Sequence, residues 1–362
     1  MRFLSVLELL LGIVVVGVTL FDLFQSVVLP RPAVGRIRLS PWLIRLSWAI
    51  WRRFGRLQWE NGRREAILGS YGPLALLTLL GAWVLSLVLG YGLVLHSLGS
   101  QLSPAPDFGT ALYFSGASLL TFGYAGFEAI GVPARIVVLT EGANGLALVA
   151  LVVSLLFSLY ASFQQREVLV ITTDASAGAP PSGVTLLENA AALGMGDLLA
   201  DTFDAWKIWS AQVLDSHLAY PILGYFRSSH DNESWLSSLG AVLDAATLVM
   251  TTVEGAPHGH AKLMYGVGTH LVEDLSQVIG PEHDHSVGIE RFEFDDARER
   301  LSAAGYELRD ADLSWERFSK MRSLYAVDLN ALARHWEIPP SLWIGDRTLL
   351  AAHVAAHARP AH

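Results

Sequence analysis

The sequence predicts an all-α membrane protein. It has three membrane-crossing helices, a short re-entrant helix between the second and third, and a helical cytoplasmic domain. Three observations lead there. First, the 362-residue chain is 52% apolar and only 16% charged, against roughly 25% charged in an average soluble domain. Second, the charge is unevenly divided. Residues 1–163 hold 7 acidic and 11 basic residues, whereas 164–362 hold 27 acidic and 14 basic. Third, three apolar stretches in the first half reach the about 20 residues that a helix needs to cross hydrocarbon. A slightly basic apolar half followed by an acidic half reads as a membrane domain and then a soluble domain. The acidic balance argues against a nucleic-acid partner, because phosphate backbones reward basic patches. With no Cys in the chain, disulfide and thiol chemistry are excluded.

The first crossing helix runs from about Phe3 to Leu29. Its apolar stretch is too long for a signal peptide, and no small-x-small cleavage site follows it. Asp22 lies in its inner part and is expected to pair with a nearby Arg or to reach the interface. The next segment holds nine Arg, from Arg31 to Arg64, interleaved with Trp42, Trp48, Trp51 and Trp59. Short Arg-rich loops stay cytoplasmic. The mixture suits a helix lying in the headgroup layer, with Arg45, Arg52, Arg53, Trp48 and Trp51 as lipid contacts. An ordinary solvated Arg face is the alternative. The Arg spacing is not every third residue, and the Arg lie outside the span, so a voltage sensor is rejected.

The second crossing helix covers roughly Pro73 to Leu95, and the third roughly Val132 to Tyr160. At 1.5 Å per residue the third is ~40 Å long and crosses with tilt or protrudes. With the Arg segment inside, the N-terminus is outside and 96–132 is external. The third helix returns inward and the C-terminal domain is cytoplasmic. That orientation places the protein in the plasma (inner) membrane as a multi-pass protein. Between the second and third helices, Asp107 is placed to cap a helix start. The apolar or small residues after it are too few to span. Non-helical backbone at that depth survives only where protein buries it or a wet cavity lines it.

The matching residues are ALYFSGASLLTFGYAG between these helices and EGANG in the third. Here the chain, over about 69–163, resembles the pore-loop potassium channel family. The resemblance implies a pore helix and a selectivity filter formed by Thr121, Phe122, Gly123, Tyr124 and Ala125. In the family, filter carbonyls replace the hydration shell of K⁺. The Thr adds a hydroxyl, and the side chain of the second position points back into the protein. Gly123 permits φ > 0. Three departures stand out. Ala125 replaces a final Gly, Gly126 replaces an Asp that clamps the filter from behind, and Leu120 replaces a Thr. Glu128 is placed to supply a ring of charge at the outer mouth beside Gly126. The expectation is a cation channel. Whether it prefers K⁺ or is weakly selective among monovalent cations stays open. A non-conducting scaffold presenting the helical domain is the reading from another class.

In the third helix the family resemblance gives Gly145 a gating-hinge role, and close helix packing is the equal alternative. Glu141, four residues earlier on the same face, is a costly intramembrane carboxylate. It serves the cavity or the gate, or makes a structural bond to the pore helix. One pore loop per chain, with no internal repeat, implies a homotetramer in lipid. No cofactor is expected beyond the permeant K⁺ or other monovalent cation.

These elements divide the chain into an N-terminal helix (1–30), an Arg/Trp-rich interfacial segment (31–68), a pore domain (69–165), a linker (166–184) and a helical domain (185–362). Apolar residues at three and four spacing make the last a helical bundle, with a helix starting near Asn232 or Ser234. The glycine pairs at 194–196 and 266–268 lack a preceding strand and a third Gly, so a nucleotide-binding domain is rejected. No nucleophile–base order, catalytic carboxylate pair or P-loop suggests an enzyme. The aromatic stretch around Pro221, from His217 to His230, is a helix-to-helix corner or a ligand or lipid loop. His258-x-His260 and His283-x-His285 have metal-like spacing but no fixed partner. The gating ligand or protein partner of this domain is unknown from the sequence.

Overall fold

The computed structural model describes residues 2–29, 39–55, 57, 61–123, 126, 128–194, 196–228, 234–283, 288–338 and 341–344. It forms two compact units. One comprises Met1–Phe54 with Ser70–Tyr160, and the other comprises Gly55–Gly69 with Ala161–His362.

The described elements of the first unit are helices and one two-stranded sheet. Helix α1 spans Arg2–Leu23 and continues as a π-helical turn, Phe24–Val28. Helix α2 spans Leu39–Gly55, α4 spans Tyr71–Ser97, and the short α5 spans Phe108–Leu119. Helix α6 runs over Val132–Ala177; its first part belongs to this unit and its end to the other. Strands β1 (Leu102–Ser103) and β2 (Glu128–Ala129) pair antiparallel, with Ser103 opposite Glu128. Among the described residues three stretches are long and apolar enough to cross a membrane: Phe3–Val28, Arg63–Ser97 and Val132–Ala177. The third extends past the expected end near Tyr160. Its last turns are carried by the more polar run from Gln164 to Ala177. The stretch expected as a linker, 166–184, is therefore helical up to Ala177. These residues contain no Gly or Pro before Gly178, so nothing stops the helix earlier.

Helices α1 and α4 cross closely where both carry glycine. A Cβ on Gly12 would lie 2.6 Å from Gly90 O, and one on Gly90 would lie 3.1 Å from Val16 N. Small residues let helices approach where lipid is no less apolar than the side chains. At the other end of α1, Asp22 is 1% exposed. It does not pair with a described Arg. Its Oδ1 accepts the backbone N–H groups of Leu39 (3.0 Å) and Ser40 (3.2 Å). Its Oδ2 accepts the Ser40 hydroxyl and the Trp83 indole N–H (2.8 Å). A carboxylate thus serves orphan donors and the positive end of the α2 dipole.

The second unit contains α3 (Asn61–Gly69), α7 (Gly183–Ala192), α8 (Gly196–Ala219), a 3₁₀ corner (Pro221–Tyr225) and α9 (Trp235–Thr251). It continues with α10 (His258–Ile279), α11 (Arg291–Ala303) and α12 (Ala311–His335). Every residue of α9 is buried, as expected for a helix apolar on all sides. Helices α7, α8, α10 and α12 surround it, which gives the expected bundle. Ser234 occupies the N-cap position of α9; Asn232 lies outside the described residues. Inside this bundle Asp244 accepts from Arg322 Nε (2.8 Å) and from the Tyr325 hydroxyl (2.6 Å). Burial pushes the Asp244 pKa up and the Tyr325 pKa well above its usual value.

The aromatic stretch after α8 is a helix-to-helix corner with Leu223, Tyr225 and Phe226 buried. Arg166, itself 1% exposed, donates to Leu223 O (3.0 Å) and Phe226 O (2.7 Å) and pairs with Glu167 (2.9 Å). Its Nη1 lies 3.3 Å from His217 Nε2, and His217 Nδ1 lies 3.0 Å from Val213 O. This arrangement requires a neutral ring that donates from Nδ1. Burial, then the Arg166 charge, pushes the His217 pKa well below 6.5. Arg227 caps the carbonyls of Trp336 and Glu337 (both 2.8 Å) and pairs with Glu65 (2.5 Å). His230 lies outside the described residues.

Two outcomes follow from these buried charges. Asp22→Ala strands the α2 amides and the Trp83 indole, and should cost on the order of 2–3 kcal/mol in detergent unfolding. Asp22→Asn, which keeps an accepting oxygen, should cost less. For His217 the folded pKa is depressed, so the unfolded chain takes up the proton first. Stability should therefore fall as pH drops below 6.5, by at most about 1.4 kcal/mol per pH unit. Denaturant unfolding of wild type and His217→Gln at pH 7.5 and 5.5 should show a smaller pH difference in the variant.

Candidate functional site: helix α5 and the segment that follows it

Helix α5 begins at Asp107, whose side chain accepts the Thr110 N–H at 2.7 Å, the expected cap. It is held in a socket made by α4 and α6. Phe114, Ser115 and Ala111 are fully buried. Ser115 Oγ lies 3.0 Å from Val88 O on α4 and 2.5 Å from Glu141 Oε1 on α6. Asn144 Nδ2 donates to the Tyr91 hydroxyl at 2.5 Å, which ties α6 to α4 beside it. A short helix at membrane depth needs this enclosure, because lipid offers nothing to its polar groups.

The chain leaves α5 by a tight reversal. Leu120 N donates to Gly116 O (3.0 Å), Thr121 N to Ser118 O (3.2 Å) and Phe122 N to Ala117 O (2.9 Å). These bonds use carbonyls that the helix end leaves unpaired. The negative end of the α5 dipole therefore adjoins the residues that follow, which favours a cation there. Thr121 has φ 59° and Gly123 has φ 99°. A β-branched residue in the left-handed region is uncommon and costs roughly 1–2 kcal/mol. Such strain persists where the surroundings impose it.

Of the expected filter residues, Thr121, Phe122 and Gly123 lie together in this exposed reversal; Tyr124 and Ala125 lie outside the described residues. Phe122 departs from the family pattern. The residue is 82% exposed rather than turned back into its own chain. The bond from its amide to Ala117 O turns the chain so that the side chain leaves the surface. Gly126 has φ 86°, and Glu128 is exposed on β2, where Arg135 Nε donates to Ala129 O at 2.9 Å. Gln101, which the sequence did not single out, steadies this outer region. Its carbonyl accepts from Ile130 N (2.9 Å) and Gly131 N (3.2 Å).

Glu141 and Gly145 both face α5. Glu141 is fully buried behind α5, so it is not placed on an open cavity wall. A Cβ on Gly145 would overlap the Leu119 carbonyl, and the close-packing reading of this glycine is the one that the geometry favours. Ser115 was also missed. A hydroxyl in an otherwise apolar short helix was the available signal.

On α2, Trp48 is 4% exposed and its ring sits 4.8 Å from that of Tyr71. Trp51 lies 6.4 Å from the same ring. Both were expected as lipid contacts, yet Trp48 is buried in the α2–α4 packing, because Tyr71 offers an aromatic partner; Trp51 is half-buried beside it. The outward face of α2 carries Trp42, Leu46, Ile50 and Phe54 with Arg45 and Arg53 exposed beside them; Arg52 is half-buried. His260 meets Asp204 (2.9 Å) and His283 meets Asp328 (2.7 Å). His285 lies outside the described residues, and no group of three metal-type ligands occurs among those described.

Gly145→Ala should force Leu119 and the end of α5 to shift. It should lower the thermal unfolding midpoint in detergent, at a cost of about 1–3 kcal/mol. A glycine that acted only as a hinge would accept Ala with little loss.

Residues 83–162 match the model of a family described as ion channel. Comparison with curated proteins found no match, and comparison with solved structures found none. The matched residues contain most of α4, all of α5, the reversal at Thr121–Gly123 and the first two-thirds of α6. This segment is therefore similar to a family of ion channels, and it lies in a membrane protein with three described helices long and apolar enough to cross a bilayer.

Proposed function

We propose that this protein is a homotetrameric cation channel, K⁺-preferring, in which four copies of residues 121–125 surround a central ion path. The observation that carries the reading is the capped, enclosed helix α5 ending in an exposed reversal with Thr121 and Gly123 at positive φ. It lies between two helices long enough to cross a membrane, inside the stretch that matches the ion channel family. One such loop per chain needs four chains to encircle an ion. The exposed Phe122 ring, 82% accessible in one protomer, is apolar surface suited to a neighbouring copy.

In this reading the N-terminus is outside and the C-terminal unit lies in the cytoplasm beneath a plasma (inner) membrane; the Arg-rich segment supports it, because short Arg-rich loops stay cytoplasmic. Helix α2 lies in the headgroup layer, with Arg45, Arg52 and Arg53 near lipid phosphate and Trp51 and Trp42 as interfacial rings, Trp42 in the role first given to Trp48. Glu128 adds negative charge at the outer mouth. The helical C-terminal unit regulates the pore through a ligand or protein partner, and the permeant cation is the only ion the mechanism requires. Weak selectivity among monovalent cations is the second reading. It is favoured by Gly126 in place of a carboxylate and by Leu120, which is 45% exposed at the base of the reversal.

The purified protein in a planar bilayer with K⁺ on one side and Na⁺ on the other decides between them. A current reversing near the K⁺ potential supports the first reading. Reversal near zero supports the second, and no current under varied conditions supports a non-conducting scaffold. Gly123→Asp puts a side chain at φ > 0 and a charge in the ion path. It should abolish the current while the oligomer stays intact on native gels; unchanged current would move the pore elsewhere.

A further inference from the structure

The enclosure of helix α5 contains a polar anchor. Ser115 and Glu141 are both fully buried and meet at 2.5 Å. The same Ser115 hydroxyl lies 3.0 Å from Val88 O. One oxygen thus joins α4, α5 and α6 at a point six residues before Thr121. One turn along α6 from Glu141, Gly145 lies against the Leu119 carbonyl, and Asn144 bonds to Tyr91 of α4. The face of α6 from Glu141 to Gly145 therefore sets both the height and the rotation of the last turns of α5. Glu141 Oε2 is buried with no hydrogen-bond partner among the described residues. A polar atom left so at membrane depth is costly and calls for a role. The bonds that follow, from Thr121 N to Ser118 O and from Phe122 N to Ala117 O, hang the reversal directly on those turns.

We propose that Glu141 is a positioning residue for ion selection. Acting through Ser115, it fixes the end of the pore helix and so the backbone from Thr121 onward. This rests on the channel reading above. In the resembled family a carboxylate clamps the filter from the position that Gly126 holds here. In this chain the carboxyl group comes from α6, behind the helix. Filter geometry is sensitive to small shifts of its support, so the anchor acts on selectivity rather than on conduction alone.

The experiment compares full-length wild type, Glu141→Ala, Ser115→Ala and Glu141→Gln in planar bilayers under a K⁺/Na⁺ gradient. Each protein is also melted in detergent with KCl or NaCl. Wild type should discriminate K⁺ from Na⁺ and melt higher in K⁺. Glu141→Ala and Ser115→Ala should lose about tenfold in the K⁺/Na⁺ permeability ratio and lose the K⁺-specific part of the melting shift. Glu141→Gln fills the same volume and still bonds to Ser115, so it should stay within about twofold of wild type. If Glu141→Ala fails to assemble, Ser115→Ala removes a single oxygen and carries the test. Variants that melt lower equally in both salts, with the permeability ratio unchanged, overturn the positioning role and leave the channel standing. A wild type with neither current nor a K⁺-specific melting shift overturns the channel reading, and the proposal with it.

Discussion

The rest of the membrane unit depends on one constraint. Backbone that enters hydrocarbon without spanning it must find all its polar partners inside the protein. Helix α5 has 12 residues, too few to cross. It can sit at that depth only if α4 and α6 enclose it, and it can leave only by a reversal that uses its own terminal carbonyls. Both conditions are met. Val88 O, Ser115 and Glu141 form a polar joint in the socket, and Ala117, Ser118 and Gly116 supply carbonyls to the reversal. The glycine at 145 and the glycines at 12 and 90 follow from the same demand, since close approach of helices is what lipid-facing packing rewards.

Buried charge in this chain is used at joints between elements. Asp22 collects donors from the start of α2 and from Trp83 of α4. Arg166 gathers the carbonyls of the corner after α8 and holds His217 neutral beside it. Arg322 and Asp244 join α12 to the fully buried α9. Each charge meets several fixed dipoles or a close partner, which is the condition under which an ion is tolerated away from water. Removing one partner at such a joint leaves the other uncompensated, so these sites are where the fold is most sensitive to substitution.

Much of the architecture was legible because it rests on long-period signals. Three apolar stretches, the Asp107 cap and the three-and-four spacing of the second half gave the spans, the short helix and the bundle. The end of the third helix was misread because the apolar run stops near Tyr160, while the helix needs only the absence of breakers up to Gly178. Trp48 is buried against Tyr71 rather than at the lipid, because the pattern of Trp among Arg is the same whether a ring meets a headgroup or Tyr71. Phe122 was expected to point inward from its place in a motif, and a motif does not state which carbonyl will take the Phe122 amide.

The sequence by itself determined that this chain enters a membrane, which residues form the short loop between spans, and that a carboxylate and a glycine share one face of the third helix. These are properties of length, composition and helical period, all local along the chain. Only the tertiary structure decided what that face meets. Glu141 finds Ser115 and Gly145 finds the Leu119 carbonyl, across 26 residues in each case. Asp22 finds the amides of Leu39 and Ser40 and the indole of Trp83. The physical reason is that a buried polar atom is satisfied by whichever partner packing brings within hydrogen-bond reach. Spacing along one helix carries no information about that partner.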